Sequence, residues 1–198
     1  MKVAFTILGI IIFLFIYWKR LKEDYSSSMV FTSGLYVILG IGIFGAIASR
    51  FLPVWWFWFD MLGVAVGLGL SILRYKLRFF ETLEALTVAL IPWFSFVFLI
   101  NSIQTSSLVS LVGFIIMLLL LVSFYYFDAR YKRFVWYRSG RIGFSGLTIL
   151  GVFFLIRSLV AVFLSDVLSF VGTLDVLSSA VLAFFAFLAV FNLARTTT

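Results

Sequence analysis

The side chains best suited to chemistry in this sequence are the few ionisable residues that stand inside long apolar stretches. Arg157 is the clearest of them, because it lies midway along the apolar residues 142–164. A charge at the centre of such a stretch costs about 2.5–3.5 kcal/mol to insert into a membrane, so we expect a partner or a ligand to hold it. Either Asp60 or Asp175 could neutralise Arg157 from another stretch, or Arg157 could bind an anion such as a lipid phosphate or a carboxylate.

Composition excludes two large classes of chemistry. The 198 residues contain no cysteine and no histidine. Disulfides, thiolate nucleophiles, conventional zinc sites and Ser-His hydrolase triads therefore cannot form. We expect no metal and no cofactor. The chain carries 15 Lys plus Arg against 8 Asp plus Glu, and we attribute this excess to loops at a membrane surface rather than to nucleic-acid binding.

The elements that must position these residues are membrane-spanning helices. Of the residues, 64% are apolar and 12% charged, against roughly 45–50% and about 25% in soluble domains. A helix crosses a bilayer with about 20 mostly apolar residues, and the charged and polar clusters divide the chain into seven such segments. The expected spans are 3–18, 29–49, 54–73, 82–100, 108–127, 142–164 and 172–193. The predicted fold is all-α, a polytopic membrane protein in which residues 1–198 form a single domain of seven transmembrane helices.

The basic residues predict the orientation of these spans. Twelve lie in one alternating set of connections and termini, whereas the other set contains only Lys2 and Arg50. Cytoplasmic segments carry the excess of Lys and Arg, so we predict that the N-terminus lies outside and the C-terminus inside. One span more or fewer would destroy the alternation.

Three glycines in the second span match the dinucleotide-binding pattern GxGxxG at Gly40, Gly42 and Gly45. That pattern indicates dinucleotide binding only where it connects a strand to a helix. Inside an apolar span, glycines instead allow helix backbones to approach closely, as we also expect for Gly63 and Gly67. The pattern therefore predicts helix packing.

Polar residues near the ends of the spans are expected to be solvated. Glu81 and Glu84 lie three residues apart at the start of the fourth span, where the helix dipole favours acids. Residues 101–107 are predicted to form an uncharged connection on the outer side. Pro92 is expected to kink the fourth span.

The order of these features resembles the prolipoprotein diacylglyceryl transferase family. The similar segments are Lys19-Arg20 after the first span, the Gly-rich second span ending near Arg50, Leu90-Ile91-Pro92 in the fourth span, and Arg141-Ile142-Gly143-Phe144-Ser145-Gly146-Leu147 leading to Gly151 and Arg157. Members of the family are bacterial membrane enzymes that move a diacylglyceryl group from phosphatidylglycerol to a lipoprotein cysteine. The resemblance implies a role in lipoprotein biosynthesis, transferase chemistry and the bacterial plasma membrane, and it identifies Arg157 with an essential arginine of the family.

Several polar groups of that family are replaced in this chain. Asp60 stands near the position of a His-Gly-Gly segment, and only Asn101 remains where a second essential arginine is expected. The resemblance thus implies reduced chemistry in which Arg157 and Asn101 hold a lipid phosphate. The expected site residues are Arg157 and Asn101 for catalysis, and Arg157, Arg50, Asp60 and Arg141 for lipid binding.

Three functions stay open on the sequence. The first is binding of an anionic, phosphatidylglycerol-like phospholipid around Arg157, with reduced or lost catalysis. The second is active diacylglyceryl transfer to a prolipoprotein, in which positioning and electrostatic stabilisation of the departing glycerol phosphate replace a protein nucleophile. The third is a small transporter or channel with a polar path through Asp60, Arg157 and Asp175. The expected partners are a membrane phospholipid and, for transfer, a prolipoprotein.

Overall fold

The protein is almost entirely helical. The structure, a computed structural model, describes residues 2–134, 143–163 and 172–195. Within these ranges the chain forms seven α-helices and no strand. They are α1 (Lys2–Leu21), α2 (Ser27–Phe51), α3 (Trp56–Tyr75), α4 (Phe79–Thr105), α5 (Leu108–Arg130), α6 (Phe144–Phe163) and α7 (Thr173–Arg195). Short 3-10 segments, Pro53–Trp55 and Tyr131–Arg133, precede α3 and follow α5.

All seven described helices are long and apolar enough to cross a membrane, with candidate spans of 18 to 27 residues. The all-α class is therefore confirmed for the described residues. Each predicted span corresponds to a helix that is long and apolar enough to cross a membrane, which indicates an integral membrane protein. Several helices extend beyond the predicted spans at one or both ends. They can do so because backbone hydrogen bonding continues past the last apolar residue while Lys and Arg side chains reach the aqueous interface.

Successive helices run antiparallel, so the bundle has two ends. We call the end where α1 begins the N-terminal face and the end where α7 finishes the C-terminal face. Phe5 near the start of α1 packs on Phe96 in the second half of α4, with ring centroids 5.8 Å apart. Ser158 of α6 donates to the carbonyl oxygen of Val176 near the start of α7 at 3.1 Å.

The central helix is α4, and α1, α5 and α6 all pack on it. Buried side chains fill the space on both of its sides. Between α1, α2 and α4 they include Phe13, Tyr17, Val37 and Ala85, and between α4, α5 and α6 they include Val88, Met117, Phe124 and Ile149. The remaining helices form two closely packed hairpins, α2 with α3 and α6 with α7.

Glycines bring α2 and α3 into close contact. Gly40 and Gly63 face each other, and a Cβ on either would collide with the backbone of the other. A Cβ on Gly67 would lie 2.6 Å from the carbonyl oxygen of Tyr36. The packing role predicted for these three glycines is confirmed. Gly42 takes no part in it, because no atom lies within 4 Å of the position of its Cβ.

The connection between α4 and α5 is shorter than the sequence predicts. Residues 101–105 continue α4, so the expected loop over 101–107 is wrong. Ser106 adopts the left-handed conformation with φ 52°. Ser107 then caps α5 by accepting a hydrogen bond from the backbone N–H of Ser110 at 3.3 Å. These two serines suffice to reverse the chain. α4 itself continues through Pro92.

Candidate functional site

Arg157 is held in a buried ion pair towards the N-terminal face. Its Nη2 donates to Oδ1 of Asp175 at 2.9 Å, and the two side chains are 6% and 0% exposed. Arg157 lies six residues before the end of α6, which is about 9 Å along the helix axis. Asp175 lies in the first turn of α7, where the helix dipole favours an anion. The pair is thus nearer to one face than the midway position expected from the sequence.

Aromatic side chains of α3 cover this ion pair. Trp58 Nε1 donates to the same Oδ1 of Asp175 at 2.7 Å. The Cζ atom of Arg157 lies 3.6 Å from the centre of the Phe57 ring. A cation over an aromatic face gains about 2 kcal/mol or more when both are shielded from water. We call Arg157, Asp175, Phe57 and Trp58 the Arg157 centre, and it joins α3, α6 and α7.

Of the two acids that the sequence offers as partners for Arg157, the structure pairs it with Asp175. Asp60 lies against α2, where a Cβ on Gly45 would be 2.8 Å from its Oδ1. That oxygen is buried and has no hydrogen-bond partner among the described residues. The contacts described for Asp60 are therefore with α2, and those described for Arg157 are with α3 and α7.

The other predicted site residues lie in different surroundings. Asn101 Nδ2 donates to Ser110 Oγ at 2.6 Å, which joins α4 to α5. Arg50 is exposed at the end of α2, and its Cζ lies 5.9 Å from the centre of the Phe51 ring. Arg141 lies outside the described residues. Asn101 and Arg157, expected to hold one phosphate together, are each hydrogen-bonded to a different protein group.

A second buried charge cluster lies near the C-terminal face, and the sequence analysis missed it. Arg20 of α1 donates through Nη1 and Nη2 to the carboxylate of Asp128 in α5, at 3.0 and 2.8 Å. Nη2 also bonds to Glu84 of α4. The backbone N–H of Gly143 donates to Glu84 Oε2 at 2.6 Å. We call Arg20, Glu84 and Asp128 the Arg20 cluster. Because Glu84 is 3% exposed, its expected solvation is wrong.

The sequence contains a signal for the Arg20 cluster. Glu84 falls inside the predicted span 82–100, and acids within spans usually pair with a cation. In the alternating topology Arg20 and Asp128 lie at the same face as Glu84. The one feature that spacing could not show is the close approach of α6, where a Cβ on Gly146 would lie 2.6 Å from Glu84 Cγ.

Glu81 belongs to a neighbouring network at the same face. Tyr25 Oη donates to Glu81 Oε2 at 3.0 Å and accepts from the backbone N–H of Arg78 at 3.0 Å. Arg78 Nη1 donates to Glu81 Oε1 at 2.9 Å. Burial raises the pKa of the Tyr25 phenol, so at neutral pH the phenol keeps the proton that it donates. The side chain of Glu81 is only 9% exposed, so the prediction that Glu81 is solvated is also wrong.

A cavity of about 480 Å³ lies beside the Arg20 cluster, between α1, α4 and α5. Its lining is polar near the C-terminal face, where Lys19, Glu23 and Asp24 contribute, and apolar farther into the bundle, at Ile16, Val88 and Phe124. Within the described ranges, no group of three or more acidic side chains is arranged to hold a metal ion. The cavity therefore has a polar mouth at the C-terminal face and an apolar inner part.

Comparisons with known proteins leave the family open. No family model, no curated protein and no solved structure matches the chain. The resemblance to the diacylglyceryl transferase family therefore depends on the quoted residues alone. The architecture of residues 2–134, 143–163 and 172–195 indicates an integral membrane protein, with seven helices long and apolar enough to cross a membrane and a buried ionic centre towards each face.

Proposed function

We propose that the protein is a non-catalytic phospholipid-binding protein of a bacterial plasma membrane, with its N-terminus outside and its C-terminus inside. Its ligand is an anionic, phosphatidylglycerol-like lipid of the outer leaflet, which binds at the Arg157 centre. The observation that carries the proposal is the Arg157–Asp175 pair, a buried cation about 9 Å from the end of its helix with its counter-charge on the adjacent helix.

The contacts of this centre favour binding without transfer. The transfer implied by the resemblance needs Arg157 and Asn101 together on the departing glycerol phosphate, where they would stabilise its developing charge. In this chain Asn101 is instead bonded to Ser110 of α5, in different surroundings from the Arg157 centre. We do not propose a transport path, because the contacts described for Asp60 are with α2.

Because Arg157 and Asp175 are both buried, a lipid phosphate binds Arg157 only when the carboxylate of Asp175 moves away from the guanidinium. A guanidinium presents five N–H donors and binds phosphate in the same fork geometry that it uses for carboxylate. Asp175 Oδ1 accepts from both Arg157 and Trp58. Trp58 can therefore hold the carboxylate while the phosphate occupies the guanidinium.

Native mass spectrometry of the purified protein tests this exchange. The wild type is expected to retain phosphatidylglycerol in preference to neutral lipids. Asp175→Asn keeps an oxygen for Trp58 but removes the competing charge, so it should raise phosphatidylglycerol occupancy several-fold. Arg157→Leu combined with Asp175→Asn removes both charges and should abolish the preference. Arg50→Gln is the matched control, because it removes an exposed cation at the same face.

Two outcomes would contradict the proposal. One is an equal preference for phosphatidylglycerol in the wild type and in the Arg157 and Asp175 double variant. The other is a loss of that preference in Arg50→Gln, which would move the site to the surface of α2.

A transfer assay addresses catalysis directly. Membranes that contain the protein are incubated with a prolipoprotein and phosphatidylglycerol, and the mass of the prolipoprotein is measured. We expect no diacylglyceryl adduct above a protein-free control. An adduct would show that the protein is an active transferase, and the non-catalytic proposal would be wrong.

A further inference from the structure

The cavity at the C-terminal face has no part in the proposed function. We infer that this cavity, between α1, α4 and α5, binds a lipid whose headgroup carries a primary ammonium group, in the leaflet opposite to the Arg157 centre. The inference does not depend on lipid binding at Arg157, because the two sites lie towards opposite faces and have different charge.

The charge of the cavity favours a cation. Three basic and five acidic side chains line it, which gives a net charge of −2 when all are ionised. The basic residues are Lys19, Arg20 and Arg78, and the acidic residues are Glu23, Asp24, Glu81, Glu84 and Asp128. Arg20 and Arg78 are already bound to acids of the lining. The C-terminal face as a whole has an excess of basic residues, but the charges nearest to a headgroup inside the cavity are those of its acidic lining, and salt screens the more distant ones. The lining therefore attracts a cationic headgroup and disfavours an anionic one.

The shape of the cavity favours a lipid over a small soluble amine. α1 and α5 pack on α4 but not extensively on each other, which leaves a groove along α4 between them. Ile16 of α1 and Tyr125 of α5 border the groove and keep accessible surface, whereas Val88 and Phe124 are each 1% exposed. An acyl chain would lie along Ile16 and Tyr125, whereas a free amine would leave them uncovered.

The polar groups at the mouth complement both halves of a zwitterionic headgroup. Glu23 and Asp24 are exposed in the connection between α1 and α2, and their carboxylates can accept from an ammonium group with its three N–H donors. A trimethylammonium group has no such donor. Lys19 is exposed at the end of α1 and offers a cation to the phosphate of the same lipid.

Competition between headgroups provides the test. The protein is reconstituted with equal amounts of phosphatidylethanolamine, phosphatidylcholine and phosphatidylglycerol, and the lipids retained are identified by native mass spectrometry. We expect phosphatidylethanolamine to exceed phosphatidylcholine by roughly three-fold or more, the scale of a few weak charged contacts. Equal retention of these two lipids by the wild type would overturn the inference.

Two variants test whether the preference arises in this cavity. Glu23→Gln with Asp24→Asn removes two acids from an exposed connection and should bring phosphatidylethanolamine down to the level of phosphatidylcholine. Ile16→Trp fills the apolar part and should remove the bound lipid. Ile11→Trp is its control, because Ile11 is a 58% exposed residue of the same helix outside the cavity lining. An unchanged preference in the double acid variant would overturn the inference.

A free amine distinguishes the two sources of an ammonium group. Ethanolamine is added at the concentration of the lipid, and we expect it to leave the retained phosphatidylethanolamine unchanged. Displacement would show that the cavity takes a soluble amine and would overturn the assignment to a lipid. Phosphatidylglycerol bound at Arg157 should be unaffected by these variants, so the two proposals can fail separately.

Discussion

At the scale of single residues, Arg157 and Asp175 depend on each other for their place inside the bundle. Both side chains are almost fully buried and are hydrogen-bonded to each other. When one partner of a buried ion pair is removed, the other keeps its cost of desolvation, and stability falls by about 3–5 kcal/mol. When both charges are removed, the loss can be small.

This dependence leads to a prediction for stability. Arg157→Leu should lower the free energy of unfolding in detergent by about 3–5 kcal/mol. Arg157→Leu with Asp175→Asn should recover most of that loss, because the amide oxygen still accepts from Trp58. Arg74→Leu, which removes an exposed arginine of α3, should have little effect. Additive losses in the double variant would show that the two charges do not compensate each other.

The two acids at the start of α4 should differ in how much each stabilises the folded protein. Glu84 is 3% exposed and bonds to both Arg20 and the backbone N–H of Gly143, so Glu84→Gln should cost about 1–3 kcal/mol. Glu81→Gln is the matched change, and its loss should be smaller because its partner Arg78 is 73% exposed. Thermal unfolding of the two variants measures the difference. Equal losses of stability in the two variants would show that the buried Glu84 stabilises the protein no more than Glu81 does.

At the scale of elements, the glycine contact between α2 and α3 has no room for an additional atom. Gly63→Ala would press a methyl group into the backbone of Gly40, and overpacking of this kind costs about 1–3 kcal/mol. Gly69→Ala on the same helix has open space and should be neutral or slightly stabilising. The midpoints of thermal unfolding compare the two variants. An equal effect of both would show that the close contact does not matter.

The helices could be predicted from the sequence, but most of their contacts could not. Seven apolar stretches of sufficient length predict seven spans, and the glycine spacing predicts a close helix contact. The choice of Asp175 over Asp60 as the partner of Arg157 could not be made, because both acids lie near the same face in the alternating topology. The environment of Glu84 also depends on α6 approaching α4 at Gly146, which no local pattern specifies.

At the scale of the whole molecule, the excess of basic residues at the C-terminal face predicts how the protein lies in the membrane. The chain contains no cysteine, so a single introduced cysteine is a unique label. Gln104 is exposed near the N-terminal face and Lys22 is exposed at the C-terminal face. In intact cells a membrane-impermeant maleimide should label Gln104→Cys but not Lys22→Cys.

Permeabilised cells provide the control for this experiment, because both variants should then be labelled. The unmodified chain should remain unlabelled throughout. Labelling of Lys22→Cys alone in intact cells would reverse the predicted orientation and would place the Arg157 centre in the inner leaflet.

The Arg20 cluster also has a consequence for the order in which the protein assembles during synthesis. Arg20 and its partner Asp128 are 108 residues apart in the chain, an interval of roughly 5–20 s at ordinary rates of translation. Glu84 follows Arg20 by 64 residues and can pair with it first, but the bond to Asp128 must wait for the whole interval. Arg157 and Asp175 are only 18 residues apart and can pair as soon as the last hairpin inserts. The Arg20 cluster is therefore completed only when the fifth helix has been made.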